Sequence, residues 1–248
     1  MPSTALGEFV GTLVLILLGN GVVAGVLLEK SKANGAGWMV ITAGWAFAVL
    51  CGVLVAVGLG APGELNPAGT LANVVTGTRT VPDALAHVTA QMAGAIVGAT
   101  LVWLHYLPHW RETRDQGAIL ACFCTAPAIR SAVPNLISEI IGTMVLVLVA
   151  SAIGTAGASG ATPATNFGPA LVGALVWGLG LSLGGPTGYA INPARDLGPR
   201  LAHAILPIAG KGGNDWGYAW IPVVGPLAGG ALAALLWSAL SAANGVPK

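Results

Sequence analysis

The residues best suited to act on a solute are two identical tripeptides, Asn66-Pro67-Ala68 and Asn192-Pro193-Ala194. Proline in a first helical turn with asparagine just before it is a helix-start signal. Each tripeptide therefore opens a helix whose first N–H groups lack partners. A helix N-terminus carries about +0.5 elementary charge, and the asparagine amide beside it adds N–H donors of its own. Two such ends facing each other would offer donors to an oxygen-bearing permeant and a positive barrier to cations and protons. Arg195 follows the second tripeptide and supplies further rigid donors. These groups bind and orient; none pairs a nucleophile with a base, so conduction rather than catalysis is expected. His87, His105, His109 and His203 lie scattered along loops and span ends without a metal spacing. Cys51, Cys122 and Cys124 form an odd set without the pairing of a zinc site. Neither a metal nor a cofactor is expected.

The elements that must position these groups follow from composition. Of the 248 residues, 55% are hydrophobic and 8% charged, 37 are glycine, and the mean hydropathy is +0.80. A soluble domain carries roughly 25% charged residues, so the chain is read as an integral membrane protein. At about 20 residues per span plus connections, its length holds six spans and no sizeable water-soluble domain. The formal charge of +1 leaves no basic footprint for a nucleic acid. The first apolar run, with no basic stretch or cleavage site before it, reads as a retained span and not a signal peptide.

Charged residues punctuate the spans, because an ionised side chain at the bilayer centre is costly. They place spans at about 6 to 28, 38 to 60, 84 to 107, 135 to 157, 168 to 185 and 218 to 241. Two apolar pieces remain, Asn66 to Thr76 and Asn192 to Ala204, too short to cross a core of roughly 30 Å. They read as re-entrant half-helices starting inside the membrane, where irregular backbone survives only if protein buries it or it lines a wet cavity. The halves resemble each other: Glu8-Phe9-Val10-Gly11-Thr12 matches Glu139-Ile140-Ile141-Gly142-Thr143. Three spans per copy invert the second copy, which puts the permeation site at the repeat interface. The expected architecture is an all-α membrane protein, six transmembrane helices plus two re-entrant half-helices in an inverted repeat. It is one channel domain over 1–248, with repeats of about 1–110 and 131–248. The small-residue patterns Gly94 to Gly98 and Gly225 to Gly229 are expected to pack helices within the monomer.

The paired Asn-Pro-Ala motifs, the Glu-x-x-Gly-Thr repeat and Asn192-Pro193-Ala194-Arg195-Asp196 resemble the aquaporin or major intrinsic protein family over nearly the whole chain. Asp196 with Arg200, Pro222-Val223 before Gly225-Pro226, and Tyr106 are similar to its glycerol facilitators, the aquaglyceroporins. The resemblance implies a selectivity filter of Trp45, Gly180, Tyr189 and Arg195, with Trp45 placed by a one-residue insertion near Ala61-Pro62-Gly63. Trp45 and Tyr189 would form an apolar corner for the carbon edge of a polyol, and Gly180 would leave room where water-selective members carry histidine. Asn66 and Asn192 would hold the permeant oxygen. Backbone carbonyls of Gly63-Glu64-Leu65 and Gly188-Tyr189-Ala190-Ile191 would accept its hydroxyl protons. Glu8 and Glu139 would brace the re-entrant loops, with Asp196 in a supporting role. Glu64 stands where glycerol facilitators often carry histidine, either modulating conduction from the pore wall or paired and silent.

The resemblance further implies a homotetramer in a lipid bilayer, a bacterial inner membrane location and cytoplasmic termini. The charge count opposes that orientation, with Arg79 and Lys248 inside against Lys30, Lys32, Arg111, Arg114, Arg130, Arg200 and Lys211 outside. Expected permeants are glycerol and other small neutral solutes, with water as a lesser one. Dihydroxyacetone, urea, hydrogen peroxide and undissociated lactic acid are open. A water-selective channel and a secondary transporter are the alternatives.

Overall fold

The structure, a computed structural model, describes residues 4–158 and 164–245. Six long helices carry the chain: α1 (Thr4–Leu27), α2 (Trp38–Gly58), α4 (Val81–His105), α7 (Ala132–Ala158), α8 (Ala164–Leu183) and α10 (Ile221–Ala243). Two short helices, α3 (Pro67–Val75) and α9 (Pro193–Ile205), stand where the half-helices were expected. There is no strand among the described residues. Helices α1, α2, α4, α7 and α10 are long and apolar enough to cross a membrane. The 20 residues of α8 reach about 30 Å at roughly 1.5 Å per residue, with Phe167–Leu183 as the apolar part.

The connection after α4 is more ordered than its charges suggest, since it holds α5 (Leu107–Glu112) and α6 (Gln116–Ala121). Local sequence explains both. Pro108 sits in the first turn of α5, where its missing N–H costs nothing. The Asp115 carboxylate caps α6 by accepting from the N–H groups of Gly117 and Ala118.

Packing follows the small residues. Helix α1 packs on α2 and α4, α7 on α8 and α10, and α2 on α8. A methyl on Gly98 would sit 2.6 Å from the Leu13 carbonyl oxygen, and one on Gly229 2.5 Å from that of Ile140. The two glycine patterns thus let α4 approach α1 and α10 approach α7 inside one chain. Leu6, Phe47, Leu54, Leu85 and Leu235 remain on the outside, an apolar exterior suited to a bilayer. The half-helices are held within: α3 lies against α10 and α9 against α4. The Lys211 ammonium closes the far end of α9 by donating to the carbonyls of His203, Ala204 and Leu206 at 2.7, 3.0 and 2.7 Å. A cation suits that end, where the helix dipole is negative.

Candidate functional site

The two asparagines cap their half-helices and each reaches the opposite loop. Asn66 Oδ1 accepts from Ala68 N at 2.9 Å, and its amide nitrogen donates to the Ile191 carbonyl at 2.8 Å. Asn192 Oδ1 accepts from Ala194 N and Arg195 N, and its amide nitrogen donates to the Leu65 carbonyl at 2.8 Å. Each amide group has two N–H donors, of which one ties the halves together. The capping bonds fix which way the donors point.

The extended stretches before the half-helices are strained. Leu65, Tyr189 and Ile191 take φ of 49°, 37° and 42°, and Gly63 and Gly188 take 72° and 75°. A residue with a Cβ in that region costs on the order of 1–3 kcal/mol, so something must hold it there. Two buried carboxylates do. Glu8 accepts from Glu64 N at 2.9 Å, Leu65 N at 2.7 Å and the Gln91 amide at 2.9 Å. Glu139 accepts from Ala190 N at 3.0 Å, from Ile191 N at 2.8 Å and from the Thr187 side chain.

A cavity of about 710 Å³ follows this seam, lined among others by Trp45, Gly63, Glu64, Leu65, Asn66, Tyr189, Ala190, Ile191, Asn192 and Arg195. The guanidinium carbon of Arg195 lies 4.0 Å from the centre of the Trp45 ring, so the insertion-dependent placement of Trp45 brings it to the arginine. Arg195 also donates to the Phe123 carbonyl at 3.4 Å. The Trp45 ring occupies the space that a side chain at Gly19 would take.

Gly180 and Gly188 do not line the cavity. A Cβ on Gly180 would lie 2.8 Å from Tyr189 Cζ and Oη and 2.9 Å from Thr42 Cγ2. The room left by Gly180 is therefore filled by the tyrosine ring and is not open to a permeant, a correction to the role expected for this glycine.

Glu64 borders the cavity, yet its carboxylate is fully engaged. Oε1 accepts from Asn73 at 2.6 Å and Arg79 Nε at 2.7 Å, and Oε2 accepts from Thr70 at 2.7 Å and lies 3.1 Å from His87 Nδ1. A carboxylate only accepts and a guanidinium only donates. His87 therefore donates from Nδ1 to Glu64, while its Nε2 faces the Thr4 hydroxyl at 2.8 Å and Arg79 at 3.5 Å. Glu8, Glu64 and His87 come close enough to suit a metal ion, but each is already engaged in hydrogen bonds and Arg79 supplies a positive charge.

Asp196 and Arg200 form a second buried network. Asp196 Oδ2 accepts from the N–H and the hydroxyl of Thr125, both at 2.7 Å, and Oδ1 accepts from Arg200 Nε at 2.9 Å, with Nη2 of the same ion pair 2.8 Å away. Arg200 also donates to the carbonyls of Thr125, Asn214 and Asp215. All three of its nitrogens are engaged, so Arg200 is no free loop charge. Trp38, Gly184, Phe123, Thr125, His87 and Gln91 were not legible as contributors; only Gln91, a polar side chain inside a span, carried a signal.

The major intrinsic protein family model matches residues 2–237. The chain belongs to that family. This major intrinsic protein is 55% identical over 235 residues to glycerol uptake facilitator protein 3 of Lactiplantibacillus plantarum, covering 95% of each chain. It is 53% identical over 238 residues to the glycerol uptake facilitator protein of Streptococcus pneumoniae strain R6, covering 96% of this chain and 99% of that one. Its structure is similar to that of the aquaglyceroporin from Plasmodium falciparum, with a TM-score of 0.82 and 28% identity over 95% of this chain and 94% of the other. The protein is a multi-pass membrane channel and not an enzyme.

Proposed function

We propose that this major intrinsic protein is a passive, bidirectional channel for glycerol and other small uncharged solutes, with water as a lesser permeant and with ions and protons excluded. The observation that carries the reading is the convergence of Trp45, Tyr189 and Arg195 on the cavity that also passes Asn66 and Asn192. Glycerol has a hydroxyl edge and a C–H edge. Arg195 and the asparagine amide N–H groups suit the first, and the two aromatic rings the second. The carbonyls of Gly63, Glu64 and Leu65, and of Tyr189, Ala190 and Ile191, would accept hydroxyl protons along the path, replacing a hydration shell; Gly188, outside the cavity, would not. Positive half-helix ends and Arg195 oppose cations. The names of the relatives at 55% and 53% identity support glycerol as the solute.

The two copies of the fold, about 1–110 and 131–248, would be related by inversion; the reciprocal Asn66 and Asn192 bonds suit that arrangement. A homotetramer in a bacterial inner membrane, with cytoplasmic termini, completes the proposal. Stopped-flow light scattering on proteoliposomes tests it. Fast, non-saturating re-swelling in glycerol is expected, while saturation would indicate a transporter. Fast shrinkage in an impermeant osmolyte without glycerol re-swelling would overturn glycerol conduction in favour of a water-selective channel.

A further inference from the structure

The ring of Tyr189 lies in a seat whose walls are outside the permeation cavity. A Cβ on Gly180 would come within 2.8 Å of the far end of the ring. One on Gly184 would lie 2.6 Å from Tyr189 Cδ1 and 2.7 Å from Trp38 Cζ2. The two glycines, four residues apart at the end of α8, form one trough. Trp38, the first residue of α2, closes it: the two ring centres are 5.9 Å apart at 79°, edge to face, a favoured aromatic geometry. The indole Nε1 donates to the Gly180 carbonyl at 3.1 Å, tying α2 to the floor of the trough. Tyr189 lines the cavity, whereas Gly180, Gly184 and Trp38 do not.

The tyrosine hydroxyl is buried and has no hydrogen-bond partner among the described residues. No polar contact pins the ring, so shape alone decides how far it projects into the cavity. We infer that Trp38 and Gly184 are positioning residues that set the width of the channel through Tyr189, and with it the largest polyol admitted. The inference rests on the proposal that this cavity is a polyol path. Its sign is fixed by geometry. Removing the Trp38 wall lets the ring withdraw and widens the path, and adding a methyl at Gly184 drives the ring inward and narrows it.

Trp38 is the cleaner position to change, because it is 42% exposed. A methyl at Gly184 would also meet the Gly180 carbonyl at 2.5 Å, and the Gly184 carbonyl accepts from Gly188 N at 2.9 Å, so that variant also disturbs the turn. The experiment compares permeability to ribitol, a five-carbon polyol, with permeability to glycerol in proteoliposomes of the full chain. In Trp38→Ala the ribitol-to-glycerol ratio is expected to rise about tenfold or more, the scale on which a snug apolar site discriminates. Trp38→Phe keeps an aromatic wall and loses the indole donor; it should shift the ratio the same way by less, and it serves if the alanine variant does not reconstitute. In a Tyr189→Ala background, Trp38→Ala should add no further shift. An unchanged ratio with glycerol flux retained, or a full shift in the Tyr189→Ala background, overturns the inference while leaving the channel reading intact. Wild-type vesicles that pass water but no glycerol would overturn both.

Discussion

The Glu64 carboxylate accepts from Asn73, Arg79, Thr70 and His87, which leaves it nothing to offer a permeant although the residue borders the cavity. Of the two readings the sequence left open for Glu64, this geometry supports the silent one. Glu64→Gln should therefore leave the pH profile of glycerol flux unchanged, measured by stopped-flow re-swelling at several pH values. Glu64→Ala instead strands the Arg79 guanidinium, 16% exposed. Leaving a part-buried donor group without its acceptor costs about 1–3 kcal/mol, and a lowered thermal unfolding midpoint in detergent would record it. Gly180 carries a second expectation at this scale. An imidazole there cannot coexist with the Tyr189 ring, so Gly180→His should abolish glycerol re-swelling, and adding Tyr189→Ala should restore part of it by clearing the space.

The half-helices and the loops before them behave as units held by single carboxylates on neighbouring helices. Glu8 on α1 holds the loop into α3, and Glu139 on α7 holds the loop into α9. Both loops contain residues at positive φ, so neither would keep its shape unbraced. Glu139→Ala leaves the N–H groups of Ala190 and Ile191 without acceptors, at about 1–3 kcal/mol each. A lower unfolding midpoint and loss of glycerol flux are expected, with Glu139→Gln between the variant and wild type because it keeps one oxygen acceptor. The bracing pair was legible as the repeated Glu-x-x-Gly-Thr pattern. Its bracing role came from the family resemblance, while the particular backbone N–H groups it holds were not legible, because they lie more than fifty positions away.

At the scale of the molecule, the close crossings of α4 on α1 and α10 on α7 decide whether the two halves can enclose a cavity. Gly98→Leu would force a large side chain against the Leu13 carbonyl. It should prevent assembly of the folded chain, read as loss of the monodisperse peak in detergent. The buried Asp196–Arg200 pair belongs to the same scale, joining α9 to Thr125, Asn214 and Asp215. Arg200 remains, with Lys30, Lys32, Arg111, Arg114, Arg130 and Lys211, on the side of the count that opposes the orientation the family resemblance implies.

Composition, charge spacing and the duplicated tripeptide by themselves determined the membrane class, the long helices and the half-helices. Each of these follows from local chemistry: apolar length against bilayer thickness, and an Asn-Pro helix start. Trp45, Tyr189 and Arg195 were legible through family resemblance, which records positions and not contacts. Only the tertiary structure decided that Gly180 seats a ring, that Trp38 and Gly184 wall it, and that Glu64 is engaged with Arg79 and His87. Those outcomes depend on which side chains from distant segments meet in one packed volume. A glycine in the sequence shows only that a side chain is missing; the neighbour that fills the space comes from another helix.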